Sequence, residues 1–163
     1  MSGSLSDTHP PLAPPRVEMD GDRPAAERAA RRRAAAVISL GCYALIGLSS
    51  WLAPATAGHG THQQLGLPPC GWVVGFGIPC PTCGMTTAFA AAADGDFLSS
   101  FRAQPMGLLL ALATAAVALV GTYVAATGSA LGGHLLRLVT PRFGWFVAGM
   151  LIAAWLYKIV TFR

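Results

Sequence analysis

The run Cys80-Pro81-Thr82-Cys83-Gly84-Met85-Thr86 places two thiols three positions apart, and a third, Cys70, lies ten residues upstream. Cysteines at this spacing support three kinds of chemistry: a disulfide, a metal site or thiol–disulfide exchange. A disulfide from Cys70 to Cys80 or Cys83 would staple the glycine-rich stretch before it, by roughly 2–4 kcal/mol in an oxidising compartment. It leaves one thiol over. A metal would take Cys70, Cys80 and Cys83 with His59 or His62 as a closed, tetrahedral Cys₃His zinc site. Exchange would use Cys80 or Cys83 as the attacking thiolate and Cys70 as the resolving thiol, with electrons passing to a partner protein or a quinone. No histidine, lysine or carboxylate stands beside the pair as an acid or base, since Asp94 and Asp96 fall at the far end of the segment. The disulfide-stapled cap is the favoured expectation, and enzymatic activity is not. The metal site, exchange, and a transport or assembly role stand as alternatives.

The segment that must hold these residues is a cap of about residues 55–105. Its first part carries Gly58, Gly60, Gly66, Pro68, Pro69, Gly71, Gly75 and Gly77, a loop by composition. Trp72, Val73, Val74 and Phe76 within it are expected at the membrane interface or against a helix bundle. Cys80 is then placed just before a helix with Pro81 at its first position, where proline's missing donor is harmless. A thiol at such a start meets unpaired N–H groups that favour thiolate. This helix runs through Met85, Phe89 and Ala93 to a stop at Asp94-Gly95. Asp96 caps a second short helix to Ala103, and Gln104-Pro105 turns the chain onward. Phe89, Phe97 and Phe101 give the pair an apolar underside, so it is expected to lie along a membrane surface.

Flanking stretches supply the membrane. Hydrophobic residues make up 53% of the chain and charged ones 11%, against about a quarter charged in soluble domains. Residues 34–52, 106–126 and 143–160 each provide close to the twenty apolar positions that a bilayer core requires. Aromatics at Trp51, Phe143, Trp145, Trp155 and Tyr157 suit the headgroup level. Gly107 and Ala111, Gly121 and Ala125, and Gly149 and Ala153 are spaced by four, which lets helices approach closely in lipid or a second copy dock. The expected fold is an all-α membrane protein: three transmembrane helices, with one or two short interfacial helices between the first and second. Cys42, inside the first span, is read as a packing residue. The spans hold no acidic residue, which argues against an ion pathway.

Residues 1–30 read as a disordered tail, broken by Pro10, Pro11, Pro14, Pro15 and Pro24, ahead of a membrane domain at 31–163. Six arginines, at 16, 23, 28, 31, 32 and 33, precede the first span, and Arg137 and Arg142 fall in the loop after the second. The positive-inside rule then puts the amino terminus and that loop, including His134, in the cytoplasm and the cysteine cap outside. This basic balance orients a membrane protein. No aromatic-interleaved basic face points to nucleic acid. Arg31 to Arg33, the apolar run and Ala53-Pro54-Ala55-Thr56-Ala57 also imitate a signal peptide, but the long polar lead and full span favour an uncleaved anchor. The expected partners are the bilayer and a second copy or a membrane protein.

Cys70, Gly77-Ile78-Pro79-Cys80-Pro81-Thr82-Cys83-Gly84-Met85-Thr86, Gly95-Asp96 and Gln104-Pro105 together resemble the core of domain-of-unknown-function family 2752, small bacterial multi-pass membrane proteins. That resemblance implies a bacterial cytoplasmic-membrane protein without an assigned activity. It singles out Pro79, Pro81, Gly84, Thr86, Gly95, Asp96 and Pro105 as structural motif positions beside the cysteines. Two positions depart from the family pattern: Thr87 stands where arginine is usual, and Gln104 where asparagine is. The resemblance implies that the arginine's role is absent or has moved to Arg102.

Overall fold

Ala25-Ala26-Glu27-Arg28-Ala29-Ala30 and the three arginines after it are strong helix formers. The first helix therefore begins well before the apolar run: α1 spans Asp22–Trp51. The computed structural model describes residues 22–131 and 140–161. The stretch expected as tail is helical from Asp22, Pro24 being tolerated in a first turn. The rest of that tail, and the expected cytoplasmic loop with His134 and Arg137, lie outside the described residues.

After α1 the chain forms a short 3₁₀ turn (Thr61–Leu65), α2 (Gly71–Phe76), α3 (Met85–Ala93), α4 (Phe97–Ala103), α5 (Pro105–Thr127) and α6 (Pro141–Thr161). Segments Ala25–Trp51, Pro105–Thr127 and Pro141–Thr161 are long and apolar enough to cross a bilayer. Their side chains face outward, with Val37 and Leu40 each 71% exposed. Apolar surface of that extent suits lipid and not water. The architecture is all-helical among the described residues, with the expected three spans and short helices between the first two. The glycine-rich stretch holds more structure than its composition suggests, because it folds the 3₁₀ turn and α2.

Helices α1 and α5 pack antiparallel. Ser39 is buried against Gly121, where any added Cβ would collide with it. The Tyr43 hydroxyl meets Thr122 Oγ1 at 3.2 Å. Arg32 Nε donates to the Ala125 carbonyl at 2.8 Å, in the last turn of α5, where carbonyls lack helical partners. The arginine end of α1 and the cysteine cap thus lie at opposite ends of this pair.

The cap is built on small residues. Ala88, Ala90 and Ala91 of α3 and Ala103 of α4 are buried, and the Ser100 hydroxyl donates to the Ala88 carbonyl at 2.7 Å. A Cβ at Gly107 would stand 2.6 Å from the Ala88 Cβ, so α3 lies directly on the first turn of α5. Asp96 Oδ1 accepts from the Ser99 N–H at 2.9 Å, capping α4 as expected, and Gly95 turns the chain between α3 and α4 at φ +82°. Helix α6 reaches the cap through its carboxyl-terminal half. Trp155 packs edge-on against Trp72, with ring centroids 6.3 Å apart, and Tyr157 lies 6.2 Å from Phe101.

Candidate thiol site

Pro81 sits at the second position of a turn, where its fixed φ is favoured, and the Cys83 N–H closes that turn on the Cys80 carbonyl at 3.0 Å. A second turn follows, with the Met85 N–H on the Thr82 carbonyl at 3.0 Å. The helix expected from Pro81 therefore starts at Met85, four residues later. Gly84 is the reason. Its φ is +89°, and a Cβ there would lie 2.7 Å from both the Ala103 and the Gly58 carbonyl oxygens. The turn can nest against the end of α4 and the loop after α1 only because this residue lacks a side chain.

Cys70 therefore takes the place just before a helix, α2, that the sequence suggested for Cys80. Its sulfur makes no close capping bond. The N–H of Val73 still lies near enough to draw its thiol below the usual range, against partial burial, with help from the Cys80 thiol and the Trp72 N–H. Cys83 is buried, and desolvation together with the neighbouring Cys80 and Cys70 pushes its thiol up to about 11. Lys158 acts in the opposite direction. Cys80 Sγ lies 3.4 Å from Thr82 Oγ1.

The three sulfurs of Cys70, Cys80 and Cys83 lie within 4.8 Å of one another. All are free thiols, as is Cys42, which lies elsewhere on α1. The cysteines border a cavity of about 250 Å³, together with His62, Thr86 and Thr87. Of the two candidate histidines, only His62 lines it. His62 Nε2 is 3.1 Å from the Pro68 carbonyl, an acceptor, so Nε2 is the donor in this contact. His59 Nδ1 lies 2.9 Å from the Ala57 carbonyl, and His59 is not among the cavity residues. Neither ring joins the sulfur cluster.

Four residues outside the expected set hold the site. Gln104 is fully buried, and its Nε2 donates to the Pro81 carbonyl at 3.1 Å. Trp155 Nε1 donates to the Pro79 carbonyl at 2.9 Å. Thr61 Oγ1 pairs with Thr87 Oγ1 at 2.8 Å and accepts from the Ala55 N–H at 3.0 Å. Lys158, the chain's single lysine, donates from Nζ to the Gly58 carbonyl at 3.0 Å and is 4% exposed. A lone lysine in an apolar helix was the available signal for it. The others were unreadable because their partners are backbone carbonyls or distant hydroxyls. Of the motif positions, Pro79 is fully buried, Thr86 lines the thiol cavity and Pro105 opens α5. Thr87, in the place of the family's arginine, lines a second cavity together with Arg102.

No curated protein and no solved structure matches the chain. Residues 70–118 match a family model, and that match takes in the three clustered cysteines, α3, α4 and the first part of α5. The cap and the start of the second span are thus similar to the family described as Protein of unknown function (DUF2752).

Proposed function

We propose that the cap is a three-thiolate metal site, held at the outer face of a bacterial cytoplasmic membrane by the three spans. The mutual approach of all three sulfurs within 4.8 Å carries this reading. A disulfide staple needs two thiols, whereas a zinc ion at Zn–S of about 2.3 Å wants sulfurs about 3.8 Å apart in a tetrahedron. The observed cluster, with all three sulfurs within 4.8 Å, would reach it by a contraction of at most about 1 Å. Thiolates select soft ions, zinc or copper(I). The fourth position belongs to His62 Nδ1 after a rotation of the ring, or to a solvent molecule.

The outer placement is supported by the separation of the arginines from the cap along α1 and α5, under the positive-inside rule. Retention of the first span is supported by its packing on α5, which cleavage after Ala57 would remove. Membrane-impermeant maleimide on spheroplasts tests the placement. The metal-free cap should be labelled from outside, and labelling only after lysis would put it in the cytoplasm.

The metal reading is tested on the full chain purified in mild detergent without chelator, by metal analysis and intact mass with and without alkylation. The expected result is near-stoichiometric metal, with Cys70, Cys80 and Cys83 alkylated only after chelation. Loss of two hydrogens from the metal-free protein would replace it with a disulfide staple. A second reading rests on the contrast between Cys70, drawn toward thiolate, and buried Cys83. One attackable thiol beside one protected thiol suits thiol–disulfide exchange. A redox titration of the metal-free protein separates reversible exchange from a fixed staple.

A further inference from the structure

Lys158 lies near the end of α6, in a chain whose other cations are all arginines. A lysine at this depth ordinarily extends its ammonium toward the headgroups and stays solvated. Lys158 does the opposite. It is 4% exposed, and its ammonium donates to the Gly58 carbonyl. No carboxylate pairs with it among the described residues. An ammonium has three donors, and burying one without an anionic partner is costly.

Lys158 lines a cavity of about 580 Å³ between α4, the loop after α1 and the last turns of α6. Arg102 of α4 borders the same cavity, with Ser99, Thr56 and the Tyr157 ring. One carboxylate, Asp96, is also on the wall, and it is engaged at the start of α4 through the Ser99 N–H. Behind Lys158 lies Cys83, which couples to it electrostatically. A metal held by three thiolates would leave one net negative charge there, and Arg102 still supplies a second positive charge on the open side. The cavity lies where α1 and α6 end, which the proposed membrane placement puts at the depth of lipid headgroups.

We propose that this cavity is a phosphate-binding site in which Lys158 forms the floor and Arg102 the rim, and that its occupant is a phosphate group at the membrane surface. Charge-assisted hydrogen bonds from an ammonium and a guanidinium are the contacts that phosphate oxygens take best. Thr56 lines the same cavity and can add a neutral hydroxyl, whereas the Ser99 side chain is engaged with Asp96. The phosphate can arrive on an anionic lipid or as a free ion.

The test uses the full chain in a mild non-ionic detergent, with phosphatidylglycerol, phosphatidylcholine and inorganic phosphate as probes. Binding is read by native mass spectrometry and thermal melting. Wild type should retain phosphatidylglycerol in preference to phosphatidylcholine, or be stabilised by inorganic phosphate. The first result identifies a lipid as the source, the second a free anion. Lys158→Met should weaken that binding by about tenfold or more and Arg102→Gln by about threefold, with Lys158→Arg restoring most of it. Arg102 is exposed on α4, so Arg102→Gln keeps the test decisive if Lys158→Met fails to fold. Equal retention of both lipids with no response to phosphate, or unchanged binding in Arg102→Gln and a folded Lys158 variant, overturns the proposal.

Discussion

The Trp155 indole nitrogen donates to the Pro79 carbonyl at 2.9 Å, across 76 residues of sequence. This bond ties the last span to the residue just before the cysteine turn. Pro79 is fully buried, so its carbonyl has no solvent to fall back on. Trp155→Phe keeps most of the ring packing against Trp72 and removes the donor. It should destabilise the protein by about 1–3 kcal/mol, the cost of an unpaired buried acceptor. Thermal melting in detergent measures this, and limited proteolysis should show new cleavage between residues 77 and 84. Unchanged melting and cleavage would mean that α6 does not hold the turn.

Gly84 and Gly77 form a matched pair for testing what fixes the turn. Both have positive φ, +89° and +69°, but nothing lies within 4 Å of a Cβ at Gly77. Gly77→Ala should cost only the backbone strain, about 1–2 kcal/mol. Gly84→Ala adds collisions with the Ala103 and Gly58 carbonyls and should cost several kcal/mol or abolish folding. Melting temperatures compared side by side check the difference; equal losses would show that the close packing at Gly84 is not needed.

Gln104 offers a graded test. Its amide reaches the Pro81 carbonyl at 3.1 Å from a fully buried position. Gln104→Asn is one methylene shorter, should lose the bond, and is expected to cost about 1–3 kcal/mol. Gln104→Ala adds a cavity and should cost more. If metal content is followed in the same variants, it should fall with stability, because the Cys80–Cys83 turn rests on this bond.

The thiols of the metal-free, reduced protein should react in a fixed order. Cys70, drawn below the usual thiol range by the Val73 N–H, should alkylate first near neutral pH. Cys83, pushed up to about 11 by burial and its two neighbours, should alkylate last, with a rate still climbing through pH 9–11. The same raised value means that the fold favours the protonated form. The stability Cys83 contributes is therefore complete below the ordinary thiol pKa and declines as pH rises toward 11. Peptide mapping after timed alkylation checks the order, and reversal would mean that Cys83 is not held in the buried position.

Asp96 titrates at the other extreme. Its carboxyl is held below the ordinary value, chiefly by the Ser99 side chain and N–H. Its capping contribution is thus present above the normal carboxylate pKa and lost as pH falls through the lowered one. Asp96→Asn, which keeps an acceptor, should flatten the acid limb of the melting profile without removing α4.

Much of this protein was legible because lipid and local backbone chemistry are written in short stretches of sequence. Three apolar runs, the Asp94-Gly95 stop, the Asp96 cap and the Gln104-Pro105 entry to α5 each depend on neighbours within a few residues, and each is found in the structure. The small residues of α5 were also readable as packing positions, since Gly107 and Gly121 meet α3 and α1. The start of the cysteine helix was not. Pro81 by local rules opens a helix, but the carbonyls of Gly58 and Ala103, brought in from opposite sides, force Gly84 left-handed and delay the helix to Met85. Composition likewise made residues 61–76 a loop, whereas contact with α3 and α6 organised them. The convergence of Cys70 on Cys80 and Cys83, the exclusion of His59, and the buried ammonium of Lys158 are long-range outcomes. Sequence determined which residue types were available and where the membrane runs. Only tertiary packing decided which thiols share a cavity and which cation is left facing one, because those distances are set by helices that are not neighbours in the chain.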